Sequence, residues 1–323
     1  MPEGVIVKAL SGYYYVSPSG FDGEPVQCRA RGIFKKKGVS PLVGDRVFYE
    51  TTENGEGTVT EILPRSTELI RPPVANIDQA LLVFSLAEPA LNLQLLDKFL
   101  VHTQRAGLET LICLSKQDLL AEGDQTAVAS YEEWDAKAAE EGSGRGKTSR
   151  TLTVEQVRNL YERIGYPVLT VSARTMLGIG ELRERLRGKM TVFSGQSGVG
   201  KSSLLNALVP GLSLQTDEIS QKLGRGKHTT RHVELIPLGD GGFVADTPGF
   251  SQLDFLQMEP EDLSSCFPDF ARYASGCKFR GCLHKNEPGC QVAEALAEGQ
   301  IAASRYKHYL LFLQEMKERK RRY

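Results

Sequence analysis

The sequence predicts a multidomain chain of three parts: an N-terminal OB-type β-barrel over residues 1–70, a central α/β domain with a phosphate-binding loop over 71–249, and a mainly helical zinc-binding domain over 250–323. Three observations predict it. Short β-rich runs alternate with polar turns at the start, strand and helix patterns alternate after Pro72 and Pro73, and Cys277, Cys282, His284 and Cys290 crowd together near the end.

The composition bounds the function classes. The chain has 323 residues, enough for two or three domains, and 41% of them are hydrophobic, enough for ordinary globular cores. A formal net charge of -1 excludes a polycation, so nucleic-acid contacts must come from local basic patches. No apolar run reaches the ~20 residues of a membrane-spanning helix. The start MPEGVIVKALSGYYYV lacks the basic residues, apolar stretch and cleavage site of a secretory signal. A cytoplasmic, monomeric protein without a membrane partner is expected.

The barrel rests on five runs: Gly4–Leu10, Tyr13–Val16, Val26–Ala30, Arg46–Thr51 and Gly57–Ile62, separated by turn clusters such as SPSGFDGEP and ENGEG. The segment RARGIFKKK places Arg29, Arg31, Lys35, Lys36 and Lys37 around Phe34. It reads either as a solvated loop or as a phosphate-contacting edge of a nucleic-acid-binding barrel.

The central domain rests on alternation. Ala80–Leu86, Thr110–Leu114, Val168–Val171, Thr191–Phe193 and Gly242–Ala245 read as strands. Asn92 can cap a helix whose Leu93, Leu96, Phe99 and Leu100 form one face, and Thr153 with Gln156 forms a capping-box signature before Val157, Leu160, Tyr161 and Ile164. A further helix is expected near Gly180–Arg187. This rhythm implies a mostly parallel sheet covered on both faces. Residues 121–151 interrupt it. Glu133 and Trp134 are expected in a short helix there, and GSGRGKTS reads as a flexible linker.

The chemistry starts with GQSGVGKS, which follows the strand Thr191–Phe193 and precedes the helix Ser203–Leu208. It fits the P-loop pattern. Gly195, Gln196, Ser197, Gly198, Val199 and Gly200 would wrap phosphate oxygens with backbone N–H groups, Lys201 would reach the β- and γ-phosphates, and Ser202, followed by Ser203, would ligate Mg²⁺. DTPG, Asp246 to Gly249, ends a strand and reads as a switch: Asp246 would hold the Mg²⁺ shell and the Gly249 N–H would sense the γ-phosphate. SKQD (Ser115, Lys116, Gln117, Asp118) follows a strand, so Asp118 can accept two hydrogen bonds from guanine while Lys116 covers the base. VSA supplies Ser172 and Ala173, whose N–H can meet guanine O6. Together these motifs imply GTP. They are circularly permuted, because base recognition precedes the P-loop, and the switch then leads straight into the C-terminal domain.

Between them lies LGRGKHTTR, in which Thr229 or Thr230 would close on Mg²⁺ and the γ-phosphate. Phe250 follows DTPG and cannot orient a water by hydrogen bonding, so His228 is the catalytic candidate. The spacing Cys277-x4-Cys282-x-His284-x5-Cys290 can close a tetrahedral Zn²⁺ shell with no open position, which makes that metal structural. Lys278, Arg280 and Lys285 surround it and would let the knuckle face RNA.

With IDQALLVFS, LLDKFL, GQSGVGKSSLLNAL, GRGKHTTRHVEL, DTPGF and the Cys-Cys-His-Cys cluster in place, the chain resembles the circularly permuted ribosome-assembly GTPases of the RsgA (YjeQ/YloQ) family. The resemblance covers nearly the whole chain outside 121–151. It implies binding to the small ribosomal subunit and its rRNA late in maturation, and slow GTP hydrolysis that the subunit stimulates. It places GTP on Ser115–Asp118 and Gly195–Ser203, one zinc ion on the cluster, and catalysis on His228. The base motif departs from the usual pattern by opening with Ser115 and carrying Gln117 third. The alternative is a nucleotide-switched RNA-binding scaffold in which hydrolysis is incidental.

Overall fold

The computed structural model describes residues 1–18, 24–36, 38–70, 73–120, 127–134, 147–209, 211–212, 233–246, 255 and 258–320. The barrel strands are β1 (Glu3–Leu10), β2 (Tyr13–Pro18), β3 (Val26–Ala30), β4 (Arg46–Thr51) and β5 (Gly57–Ile62). They pair in the order β1-β2-β3-β5-β4, and β4 returns to β1. Only β3 with β5 is parallel within this barrel. This is the expected OB arrangement. Ile6, Val16, Cys28, Val47, Tyr49 and Val59 fill its core.

The basic segment differs from a plain loop. Gly32–Lys36 form a short helix, α1, and Phe34 is buried in the core instead of standing among the cations. A phenyl ring gains more from leaving water than from sharing a solvated face. Arg29 lies over the Tyr13 ring at 4.9 Å, and Arg31 pairs with Glu50 at 3.2 Å.

A ribbon of β6 (Glu68–Ile70) and β7 (Pro73–Ala75) leads into the central domain. Its elements are β8 (Gln79–Ser85), α2 (Leu93–Arg105), β9 (Glu109–Ser115), β10 (Ala129–Trp134), β11 (Lys147–Leu152), α3 (Val154–Ile164), β12 (Val168–Thr170), α4 (Ile179–Leu186), β13 (Met190–Ser194), α5 (Lys201–Leu208), β14 (Glu234–Pro237) and β15 (Phe243–Asp246). Strands β12-β9-β8-β13-β15 lie side by side and parallel, and β14 adds antiparallel to β15. All of β8 is buried. Its Ala80, Leu82 and Phe84 share a core with α2 and α3, while Leu81 and Val83 share another with α4 and α5. Helices therefore cover both faces, as expected. Asn92 accepts from the Leu95 N–H, and Thr153 and Gln156 complete the capping box.

Two features depart from expectation. Glu133 and Trp134 lie in β10, not in a helix, and β10 pairs antiparallel with β11. The last residues of the expected linker, Lys147–Ser149, belong to β11. Cross-strand pairing overrides the local preference here. Second, β14 also pairs with β1 at Glu234 and Lys8, whose side chains meet at 3.0 Å, so barrel and central sheet run on as eleven strands.

The C-terminal region is mainly helical: a 3-10 turn (Pro260–Cys266), α6 (Pro268–Ala274), α7 (Gln291–Ala297) and α8 (Ala303–Lys320). Phe255, Phe267, Phe270, Tyr309 and Phe312 build its core, which also takes in Val101 of α2. A buried polar network crosses the same seam. Arg305 of α8 donates to Asp97 of α2 (2.7 Å) and to Asp269 of α6 (2.8 and 3.2 Å). The Tyr161 hydroxyl donates to Asp97 at 2.9 Å, and His308 Nδ1 lies 2.5 Å from it. Burial pushes the Asp97 carboxyl up, but Arg305 and His308 outweigh it and hold it below its ordinary value. Its contribution is thus complete at neutral pH and is lost only as pH falls through that depressed value. Arg305→Ala leaves two buried carboxylates short of their cation. It should cost about 3–5 kcal/mol of stability, read from the urea midpoint. A loss typical of an exposed pair, below about 1 kcal/mol, would contradict this.

Among the described residues, no helix is long and apolar enough to cross a membrane.

Candidate functional site

The candidate nucleotide site lies at the carboxyl ends of the parallel strands, where such sheets bind ligands. Register brings the pieces together. Ser194, the end of β13, is level with Leu82 of β8; Ser115, the end of β9, is level with Ser85; and Thr170 of β12 is level with Leu114. Val192 pairs with Ala245, so Asp246 ends its strand beside the start of the P-loop.

The P-loop has the geometry its sequence requires. Gly195, Gly198 and Gly200 adopt φ of +145°, +80° and +93°. At Gly195 a Cβ would lie 2.1 Å from the Val83 carbonyl oxygen, so no other residue lets the chain turn there. Lys201 opens α5, and its Nζ donates to the carbonyls of Gly195 (2.8 Å) and Gln196 (2.5 Å), which sets the ammonium over the loop. Ser202 is buried at the same helix N-terminus, followed by Ser203. Ser197 and Gly198 are exposed at the lip, and Val199 is anchored in the core.

The base motif is tied directly to this loop. The Ser115 hydroxyl donates to the Val199 carbonyl at 2.6 Å, so the departure from the usual residue keeps the bond to the P-loop. Lys116 sits in the left-handed region at φ +61°, and its Nζ donates to the Glu88 carbonyl. Its stem runs by Gly200, where a Cβ would be 4.0 Å from Lys116 Cε. The Gln117 N–H donates to the Val171 carbonyl at 3.2 Å, which joins the base motif to VSA.

Asp118 Oδ1 accepts from the Ser172 hydroxyl at 2.6 Å, and its Oδ2 lies 2.8 Å from Arg174 Nε. The Ser172 hydrogen bond, then that of Asp118's own backbone N–H and the Arg174 charge, hold the Asp118 carboxyl below the ordinary carboxylate range against the effect of burial. It is therefore ionised and acceptor-only at neutral pH. Ala173 follows Ser172 in the same turn, which the Thr175 N–H closes on the Ser172 hydroxyl at 3.1 Å. Sequence reasoning missed Arg174 and Glu88. Arg174 directly follows VSA, so its position was readable, but its partner was not.

His228, Thr229, Thr230, Gly249 and Phe250 lie outside the described residues. Asp246 is described by its backbone only.

The second cluster forms as expected. The ligand atoms of Cys277, Cys282, His284 and Cys290 all lie within 4.8 Å of one another. His284 Nδ1 is 3.6 Å from Cys277 Sγ and 3.4 Å from Cys290 Sγ. A tetrahedral ion with about 2.3 Å to sulfur and about 2.0 Å to nitrogen sets such pairs about 3.6 Å apart, so the donor set fits zinc. Burial pushes the Cys282 thiol up to about 12 and raises Cys290 too, so a cation is needed to hold their thiolates. The supporting shell was not legible beforehand. Glu287 accepts from the N–H groups of Leu283, Lys285 and Asn286, and Tyr306 and Tyr309 donate to the His284 and Leu283 carbonyls.

Comparison with known proteins agrees with this geometry. The RsgA N-terminal domain profile matches residues 3–59, and the RsgA GTPase profile matches residues 62–153 and 146–256. A protein of Halalkalibacterium halodurans named small ribosomal subunit biogenesis GTPase RsgA is 51% identical over 324 residues, covering 100% of both chains. One of the same name from Geobacillus kaustophilus is 50% identical over 323 residues, again covering 100% of both. The crystal structure of YloQ, described as a circularly permuted GTPase, superposes with a TM-score of 0.76 at 42% identity, covering 99% of this chain and 96% of that one. That of YjeQ from Thermotoga maritima gives 0.77 at 35% identity, covering 98% of each. With family profiles matched across residues 3–59 and 62–256 and a relative 51% identical over its full length, the chain belongs to the RsgA GTPase family.

Proposed function

We propose that this GTPase binds the small ribosomal subunit through its rRNA and couples GTP hydrolysis to late maturation of that subunit. The observation that carries the nucleotide half is the Ser115–Val199 hydrogen bond, which locks the base motif onto the P-loop at one sheet edge. The backbone N–H groups of Gly195–Ser203 would cradle the phosphates, and Lys201 would neutralise charge on the β- and γ-phosphates. Mg²⁺, held by Ser202 and the Asp246 side, would neutralise charge on the same oxygens. Thr229 or Thr230 and the Gly249 N–H would respond to the γ-phosphate, and His228 would position the attacking water. Asp118 would accept from guanine N1–H and the 2-amino group, the Ala173 N–H would donate to O6, and Lys116 would cover the ring.

The partner half rests on charge and on the relatives' names. Arg29 and Arg31 on the barrel, and Lys278, Arg280 and Lys285 around the metal cluster, would contact phosphates on either side of the nucleotide domain. We assign one structural zinc ion to Cys277, Cys282, His284 and Cys290. We divide the chain into an RNA-binding barrel (1–70), a GTPase domain (71–249, with an insertion near 121–151) and a zinc domain (250–323), acting as a cytoplasmic monomer.

Asp118→Asn tests the reading. The substitution exchanges an acceptor for a donor, so guanine's 2-amino group meets an amide N–H, while the 2-oxo group of xanthine gains a partner. GTP affinity should fall at least about 100-fold and XTP should become the better substrate. Unchanged preference for GTP in a hydrolysis assay would remove Asp118 from base recognition.

A further inference from the structure

We infer that Arg174 is a built-in placeholder for guanine, occupying the carboxylate oxygen that the base must take. The inference rests on the assignment of Asp118 as the base reader. The Asp118 side chain is only 10% exposed, and both its oxygens are engaged. Oδ1 accepts from the buried Ser172 hydroxyl at 2.6 Å. Oδ2 meets Arg174 Nε at 2.8 Å, and Arg174 Nη2 reaches the Asp118 main-chain carbonyl at 3.5 Å.

The chemistry of the two donors is alike. Guanine presents N1–H and the 2-amino group from a guanidine-like N–C–N fragment, and an arginine fork presents the same planar set of N–H donors. A base that pairs with both oxygens of Asp118 shares Oδ1 with Ser172 and competes with Arg174 for Oδ2. Ser172 is held by its own loop, since its backbone N–H donates to the Leu177 carbonyl and its hydroxyl also accepts from Thr175. Arg174 is not so held. Its side chain is 71% exposed, and among the described residues it has no other hydrogen-bond partner. It is the member of the pair that can leave.

Two consequences follow. Arg174 keeps the largely buried carboxylate paired, and it subtracts from the affinity for guanine nucleotides by the strength of one ion pair whose arginine is exposed. Arg174→Ala should thus bind GDP more tightly than the wild type, by about two- to fivefold. Loss of a residue with a merely structural role would leave binding unchanged or weaken it, because Asp118 would be less well aligned.

The test is equilibrium titration of fluorescent GDP against the full-length wild type, Arg174→Ala and Asp118→Asn, with XDP titrated in parallel. Tighter GDP binding by Arg174→Ala, with Asp118→Asn switching preference to XDP, is the expected result. Equal or weaker GDP binding by Arg174→Ala would overturn the placeholder, and the xanthine switch would then leave Asp118 as base reader intact. Absence of the xanthine switch would remove the base reader, and the placeholder with it.

Discussion

Lys201→Ala is expected to reduce GTP hydrolysis by about 10²–10³-fold, the loss typical of removing one preorganised electrostatic group. The ammonium is already held at the phosphate-binding loop. It stands at the first position of α5, held by the carbonyls of Gly195 and Gln196, over the loop that would wrap the phosphates. Phosphoryl transfer offers the protein little covalent chemistry, so positioning and charge neutralisation carry most of the rate. Lys201 has no place in the apolar cores on either face of the sheet, so the fold should survive the change. Single-turnover phosphate release at saturating GTP measures the effect, with circular dichroism as the control for folding. A folded variant that keeps more than a tenth of the wild-type rate would place the essential charge elsewhere.

Removing the metal should have the largest structural effect. The three thiols and His284 are embedded in the C-terminal core: Cys290 is buried beside Val292 and Phe270, and the His284 ring lies 6.2 Å from Phe270 and 6.3 Å from Tyr309. A structural Zn²⁺ contributes about 10–16 kcal/mol to folding in small zinc peptides, which exceeds the margin of most domains. Residues 258–320 are therefore expected to lose their hydrogen-exchange protection on chelation or in Cys290→Ala. The loss should spread. Once α8 loosens, Arg305 no longer pairs with Asp97, and α2 of the central domain is left with a buried carboxylate. The melting temperature of the central domain should fall as well, while the barrel, none of whose described residues belongs to the C-terminal core or the Arg305–Asp97 network, keeps its protection. Full protection of 258–320 after metal removal would rule out the structural role.

Much of this was legible because local pattern and global fold agree. The barrel strands are β-rich runs set between polar turns, Asn92 and Thr153 announce their helices, and Gly195–Ser202 carries the phosphate-binding loop directly between a strand and a helix. What escaped depends on partners far along the chain. Strand β14 is four residues long and gains its place from β15 and β1. The β10–β11 hairpin is defined by pairing that composition does not reveal, and Glu133-Trp134 alone reads equally well as helix. Asp97 looks like a polar residue on an amphipathic helix, and only the fold brings Arg305 to it. Phe34 among cations suggested a binding edge, yet its ring serves the core. At the nucleotide site the P-loop and the base motif lie together as their sequence positions suggested, but Arg174 beside Asp118 was not legible, since an exposed arginine gives no sign of its partner until two loops are adjacent.

We propose that this GTPase does its work on the small ribosomal subunit. Phosphate release from GTP, followed with and without purified small subunits, tests it most directly. Slow release by the protein alone and strong stimulation by the subunit, abolished by Lys201→Ala, are the expected result. Equal rates with and without small subunits would contradict it.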